Sequence, residues 1–344
     1  MRAKSLKYLL VIIFLFIAPT LFGANVLVST MDLATFFSQS GDLNTRGQFD
    51  LGFNGGYKYQ AELSFEYLNK NLETDNSQPL IFDGASASVN RVGGFFDFTY
   101  WTGYKGVIGE GDYYIGHLYH RDENFEYLGY LPLLGTGLIF GVRSRDDRYG
   151  GKVYTYQRYG GVGYLNSVDM EFNLNTGPIL FNAYVGESDN NWRAGLQFKY
   201  LGEKTGIYLT MGNLTLNSGN VLNFDNLYFL LEQRFSAGNW NFIPSVFARP
   251  KYHYDYVNRT YAPTNETNDI DFNFNLNFAP ETKNYGVGGE VTVRTSNVEE
   301  LGVYLSPYAE LYTLGIIWKL KVDFNVITET RDLVTGYLNI NASF

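Results

Sequence analysis

The stretch NDIDFNFNLNFAP, residues 268–280, sets Ile270, Phe272, Phe274, Leu276 and Phe278 on one parity and Asp271, Asn273, Asn275 and Asn277 on the other. Side chains alternate faces along a strand, so this reads as a β-strand with one apolar and one polar face. The alternation recurs at 57–67, 168–174, 192–200 and 316–326. It is weaker near 47–53, 94–102, 112–120, 136–143, 179–186, 206–212, 226–235, 286–294 and 333–344. No helical period is sustained beyond about three turns, which predicts an all-antiparallel sheet. Two folds fit such a pattern. In a soluble sandwich the apolar face points inward. In a membrane barrel it points outward into lipid, and the polar face lines a lumen.

Three features favour the barrel. The segments commonly run 10–13 residues, where soluble strands average about 5–6 and a tilted membrane strand needs about 9–11. So many strands in one unbroken sheet must close on themselves or leave edges exposed. Aromatic residues gather where strands end: Trp101 and Tyr104, Tyr200, Trp240, Tyr252 with Tyr254 and Tyr256, and Tyr308 with Tyr312. Membrane interfaces favour Tyr and Trp. A mean hydropathy of −0.18 does not argue against this, because alternating strands cancel in an average.

The amino terminus points the same way. Arg2, Lys4 and Lys7 precede an apolar run from Tyr8 to Ala18, followed by small residues. The run is too short for a spanning helix, and the layout is that of a secretory signal peptide, with cleavage expected near Gly23 or Ala24. The expected organisation is a signal peptide over 1–24 and one β-barrel over 25–344. There are no cysteines, which excludes a disulfide framework and a thiolate metal site. Net charge is −9, and −12 without the three basic residues of the leader, which argues against nucleic acid as a partner.

The final segment, GYLNINASF, puts Leu338, Ile340, Ala342 and Phe344 on one face and Tyr337, Asn339, Asn341 and Ser343 on the other. In this, and in the alternation along the mature chain, the sequence resembles the outer-membrane β-barrels of Gram-negative-type bacteria. By that resemblance Phe344 is the terminal aromatic read by the barrel assembly machinery. Outer-membrane lipids are the expected surroundings, and a homo-oligomer is one arrangement the resemblance admits. The size resembles that of general porins, an up-and-down transmembrane barrel of about 16 strands, range 14–18; the regions 31–40 and 143–166 are the least determined. Porin-like diffusion of small hydrophilic solutes is then the expected activity. An adhesin or receptor acting through surface loops is the alternative, and an outer-membrane hydrolase a third reading.

Little in the chain points to catalysis, a metal or a cofactor. His117 and His120 are three apart on an expected strand and face opposite sides; His253 lies near a strand end. No local motif pairs a histidine with a nucleophilic hydroxyl. The glycine-rich stretches 52–56, 158–163 and 286–289 open no helix and are not phosphate loops. Pro244 and Pro250 lack a ladder donor, so a bulge or an early strand end is expected there. The stretch RSRDDRYGGKVYTYQRYGG, from Arg143, is either a loop folded into the lumen or a charged turn followed by a strand around Lys152–Arg158.

The candidate lumen-facing charges are Lys58, Arg193, Lys199, Arg234, Arg249, Lys251, Arg294, Lys319 and Lys321 against Glu62, Glu66, Asp169, Glu171, Glu232, Asp271, Glu290 and Asp323. Nine against eight is a nearly balanced wall. The signs cluster along the chain, acidic at 62/66 and 169/171 and basic at 193/199, 249/251 and 319/321, so a field across the lumen is expected. Acidic loops would add a weak cation preference that fades with salt.

Overall fold

The computed structural model describes residues 25–37, 43–56, 58–69, 81–108, 131–160, 163–188, 191–216, 227–248, 252–255, 260–263, 269–280, 284–296, 300–327 and 333–343. Every element in them is a strand. In chain order these are β1 (Asn25–Phe37), β2 (Leu43–Gly55), β3 (Tyr59–Asn69), β4 (Ile81–Val92), β5 (Phe96–Ile108), β6 (Leu131–Arg143), β7 (Tyr149–Gly160), β8 (Gly163–Asn175), β9 (Ile179–Ser188) and β10 (Asn191–Leu201). They continue as β11 (Thr205–Leu216), β12 (Leu227–Ala237), β13 (Trp240–Ala248), β14 (Tyr252–Asp255), β15 (Thr260–Pro263), β16 (Asp269–Phe278), β17 (Tyr285–Ser296), β18 (Glu300–Thr313), β19 (Ile316–Asn325) and β20 (Val334–Ser343).

Strands β14 and β15 pair only with each other; the other 18 form one antiparallel sheet. Each pairs with its neighbours in sequence, β13 with β16 across the small hairpin. The ring is completed by β1 and β20, paired from Thr30↔Ser343 to Phe37↔Gly336. Eighteen strands are the upper end of the expected range. Both undetermined regions contribute a strand, β1 and β7. The stretch from Arg143 is therefore a turn at 144–148 followed by β7. Strands about 4.8 Å apart and tilted about 40° make a ring of this number roughly 35 Å across.

On one rim every connection is short, six residues or fewer. The chain passes from β2 to β3, β4 to β5, β6 to β7, β8 to β9, β10 to β11, β12 to β13, β16 to β17 and β18 to β19 there, and β1 begins and β20 ends there. The strands meeting at the opposite rim are joined by anything from two residues, between β7 and β8 and between β9 and β10, to the longer stretches 70–80, 109–130, 217–226 and 249–268. Left-handed backbone marks the tight turns: Leu314 (φ 49°) and Gly315 (φ 83°) form the two-residue β18–β19 hairpin, as a type I′ turn requires.

Proline acts differently from expectation. Pro244 lies within β13 and pairs with Phe274. Toward β12 the ladder is interrupted between Glu232↔Ser245 and Phe235↔Phe242, yet both pairs keep one register, so there is no bulge. Pro307 does the same in β18, between Leu305↔Phe324 and Tyr308↔Lys321. A missing N–H breaks one ladder without adding a residue to it. Strand β13 ends at Ala248; Pro250 lies outside the described residues.

Candidate functional site: the polar face of the ring

The two faces of the sheet differ in chemistry. On β16, Ile270, Phe272 and Phe274 are exposed while Asp271, Asn273 and Asn275 are buried. On β8, Val168, Met170 and Phe172 are exposed while Ser167, Asp169 and Glu171 are buried. The polar face is the concave one, because its side chains converge across several strands. Tyr184 on β9 and Tyr228 on β12 meet hydroxyl to hydroxyl at 3.0 Å, three strands apart.

The charges on this face are joined in pairs. Arg193 on β10 reaches past β9 to Asp169 on β8, donating from Nε at 2.8 Å and from Nη2 at 2.6 Å, and both groups are at most 2% exposed. Tyr156 donates to the same carboxylate at 2.9 Å. Glu171 accepts from Asn182 at 2.5 Å and from the Tyr154 hydroxyl. Arg294 makes a two-pronged pair with Asp271, at 2.7 and 2.9 Å. Lys321 sits 2.8 Å from Glu290 and 3.7 Å from Asp323. Lys319 pairs with Glu310 at 3.0 Å and lies over the Tyr308 ring. A planar guanidinium fork matches a carboxylate, and burial makes such pairs costly to leave half-complete.

Where they occur, these contacts oppose the expected transverse field. The acidic β8 lies two places from the basic β10 that pairs with it, and the basic β19 pairs with Glu310 on β18 and Glu290 on β17. Other candidates are placed individually. Glu62 and Glu66 lie on the polar face of β3. Lys199 lies over the Tyr208 ring at 5.4 Å. Glu232 is buried on β12, with Arg234 partly buried on the same face. Lys58, in contrast, is in the turn ahead of β3, exposed, with its ammonium toward the Tyr59 ring. Arg249, Lys251 and Phe344 lie outside the described residues, as do His117 and His120. His253 falls on β14.

Two aromatic residues placed by sequence at interfaces are inside instead. Trp101 is fully buried on the polar face of β5, with its ring 5.4 Å from Tyr156, and Tyr308 is 6% exposed on β18. Tyr154, Tyr184, Tyr208, Tyr228 and Tyr304 are buried with them on the polar face. Tyrosine suits either face of such a wall, because an apolar body carries a polar tip. This blurs the alternation of β7, where Tyr154 and Tyr156 share a face with Lys152 and Arg158.

The wall also bends inward. Gly84, Gly103 and Gly135 stand side by side on β4, β5 and β6. A Cβ on Gly84 would lie 2.2 Å from the Tyr104 carbonyl oxygen, and one on Gly103 2.2 Å from that of Asp83. Gly103 also has left-handed backbone (φ 85°), and the β5–β6 register shifts just beyond it, between Tyr104 and Val107. Past this line Lys105 bonds Glu62 on β3. On a flat sheet their backbones would be about 13 Å apart along the strands and about 10 Å across them, too far for the two side chains to meet. The end of the β5–β6 hairpin therefore leans over the concave face. Ile108 and Leu133 on it are buried in one cluster with Trp101, Tyr154, Tyr156 and Tyr184. Sequence reasoning missed Lys105; three glycines on adjacent strands were the available signal.

At the short-turn rim, Arg143 donates to Asp97 from Nε at 2.6 Å, Arg91 bonds Asp147 at 2.5 Å, and Arg91 N–H donates to Asp97 at 2.8 Å. This links the β4–β5 and β6–β7 turns. Beside it Ser144 donates to Asp146 at 2.6 Å, which holds that carboxyl below its usual range.

No family model matches the sequence, and no curated protein matches it. Solved structures do. A multiply substituted Rh. blastica porin is 7% identical and aligns over 93% of this chain and 100% of its own, with a TM-score of 0.55. Pseudomonas aeruginosa OccK5 (OpdH) is 8% identical over 93% of this chain and 98% of its own, with a TM-score of 0.56. The fold is that of a porin barrel. At such identities the likeness extends to the porin architecture and not to individual side chains.

Proposed function

We propose that this porin-type barrel is a channel for passive diffusion of small hydrophilic solutes across a bacterial outer membrane. The observation that carries the reading is the closed ring with an apolar exposed face and a concave face of hydrogen-bonded polar groups. A ring of 16–18 strands is wide enough to leave an aqueous passage, and an apolar outer face about 25 Å tall fits the hydrocarbon of a bilayer. The polar residues of the concave face, from Glu62 to Asp323, would then line the passage. The inward lean of the β5–β6 hairpin would narrow it. Residues 1–24 would serve as the export signal and Phe344 as the mark for the assembly machinery. The chemistry asked of the protein is positioning and size selection, not bond-making.

The test is conductance of purified, detergent-folded protein in planar bilayers. Stepwise channels at about 1 M KCl, where wall charges are screened beyond about 3 Å, are the expected result. Bilayers that stay silent with correctly folded barrel would overturn the reading.

A further inference from the structure

The apolar belt of the outer face is not of even height. On β18 it runs from Leu311, near the short-turn rim, to Leu301, both exposed, with Val303 and Leu305 on the same face between them. Ten residues at about 3.3 Å each, tilted about 40°, give a belt about 25 Å tall. On β7 the outward Tyr149 and Val153 are exposed, but the next two residues on that face are Thr155 and Gln157, exposed as well. By the same measure the belt is only about 10 Å tall there. The neighbouring strands repeat this. Thr102 on β5 pairs with Thr136 on β6, one outward step beyond the exposed Tyr100 and Leu138, and Thr136 pairs with Gln157. Gln157 pairs in turn with Asn166 on β8, and Val168 of that strand with Glu187 on β9. Six polar side chains, none of them buried, thus run across the outer face of β5–β9. Eight residues from their short-turn ends, β7 and β9 carry Gln157 and Glu187, where β16, β17 and β19 carry Ile270, Val293 and Phe324.

We propose that further copies of this chain cover this arc, so that the barrel self-associates through β5–β9 and leaves β16–β19 to lipid. This rests on the membrane placement read above. A bilayer wetting the whole ring must thin by more than half on one side, or leave hydroxyls, amides and a carboxyl facing hydrocarbon. Five strands about 6 Å apart around the ring make a face about 30 Å wide. Over the height of a bilayer that is about 750 Å² in projection, against roughly 800 Å² per partner in a standard interface. Apolar surface alone gives two barrels no drive to meet, because lipid is as apolar as they are; polar groups at hydrocarbon depth supply one. Threonine, glutamine and asparagine each donate and accept, so the band of one copy satisfies the band of another. A second copy also carries that band at the same depth in the membrane.

The test uses the purified full-length barrel in proteoliposomes, where copies of this chain are the only protein present. Replacing Gln157 or Asn166 by the photoreactive p-benzoylphenylalanine should join chain to chain on illumination. The same replacement at Val293 or Phe324 should give several-fold less joined product. Unlinked wild-type protein in mild detergent should scatter light as a multiple of the single-chain mass. The triple variant Thr155→Val, Gln157→Leu and Glu187→Leu extends the apolar belt and should shift it to single chains that still migrate as folded barrel before boiling. Equal linking at all four positions, a wild-type protein that is a single chain in detergent and membrane alike, or association that survives the triple variant would each overturn the proposal alone. Folded protein that fails to enter bilayers would overturn it together with the membrane reading.

Discussion

Asp169 and Arg193 set the stakes at the residue scale. Both are buried on the concave face, and each leaves a charge behind if the other is removed. Arg193→Ala should cost about 3–5 kcal/mol, read as a lower denaturant midpoint for the folded barrel in detergent micelles. Replacing both, as Asp169→Leu with Arg193→Met, should recover most of that loss. Equal losses in the single and double variants would mean that the pair contributes shape and not charge compensation. Glycine offers a second test. Gly103→Ala places a methyl against the Asp83 carbonyl in left-handed backbone and should prevent or greatly slow folding. Gly94→Ala also has positive φ but open space, so only about 1–2 kcal/mol is expected.

Strand β16 shows at the element scale what alternation reveals and what it hides. The facing of its residues could be read directly, because the outward Phe and inward Asn differ in chemistry at every step. Phe274→Arg, mid-strand and exposed, should cost about 2–4 kcal/mol if its face meets hydrocarbon, and Leu276→Arg, nearer the rim, less. Facing water did not mean being free, however. Asn275 is fully buried, donating to Glu290 at 3.2 Å and accepting from Tyr308 at 3.0 Å, so an arginine there is not tolerated as alternation alone would suggest. The better polar-face control is Asn341→Arg on β20, an exposed position that should leave folding unchanged. The register between strands, which decides that Arg193 meets Asp169 two strands away, has no signature in either segment read alone. Strand β7 was hidden because Tyr154 and Tyr156 imitate an apolar face. The β5–β6 lean yields its own expectation: Lys105→Gln should loosen the hairpin from Glu62 and raise single-channel conductance by some tens of per cent. An unchanged conductance would place the narrowest point elsewhere.

Viewed whole, the molecule is a ring, and its architecture was the most legible part of the sequence. Repetition of one weak signal many times over is stronger than any single strand. The strand number was less so, because β1 and β7 carry little contrast between faces. A closed ring should show a β-type circular dichroism spectrum and migrate differently on SDS gels before and after boiling, since it has no edge from which to unravel. A helical spectrum would contradict the fold outright. Deleting Phe344 should reduce insertion into the outer membrane while leaving export intact, which fractionation of cells producing the truncated chain would reveal.

The seam between β1 and β20 joins the first described strand to the last. Every other pairing in the ring links strands that are neighbours in sequence, apart from the step over the β14–β15 hairpin. Closure alone spans nearly the whole chain, from Thr30 to Ser343. Contacts of that separation are the slowest to form, because the loop entropy must be lost before the pairing stabilises anything. Until synthesis ends, a growing sheet of this kind has two unpaired edges and an apolar face in water, an invitation to aggregate. On the channel reading proposed above, such a chain is best kept unfolded until β1 and β20 can meet, and its lifetime before the seam closes depends on whatever holds it apart from its own copies.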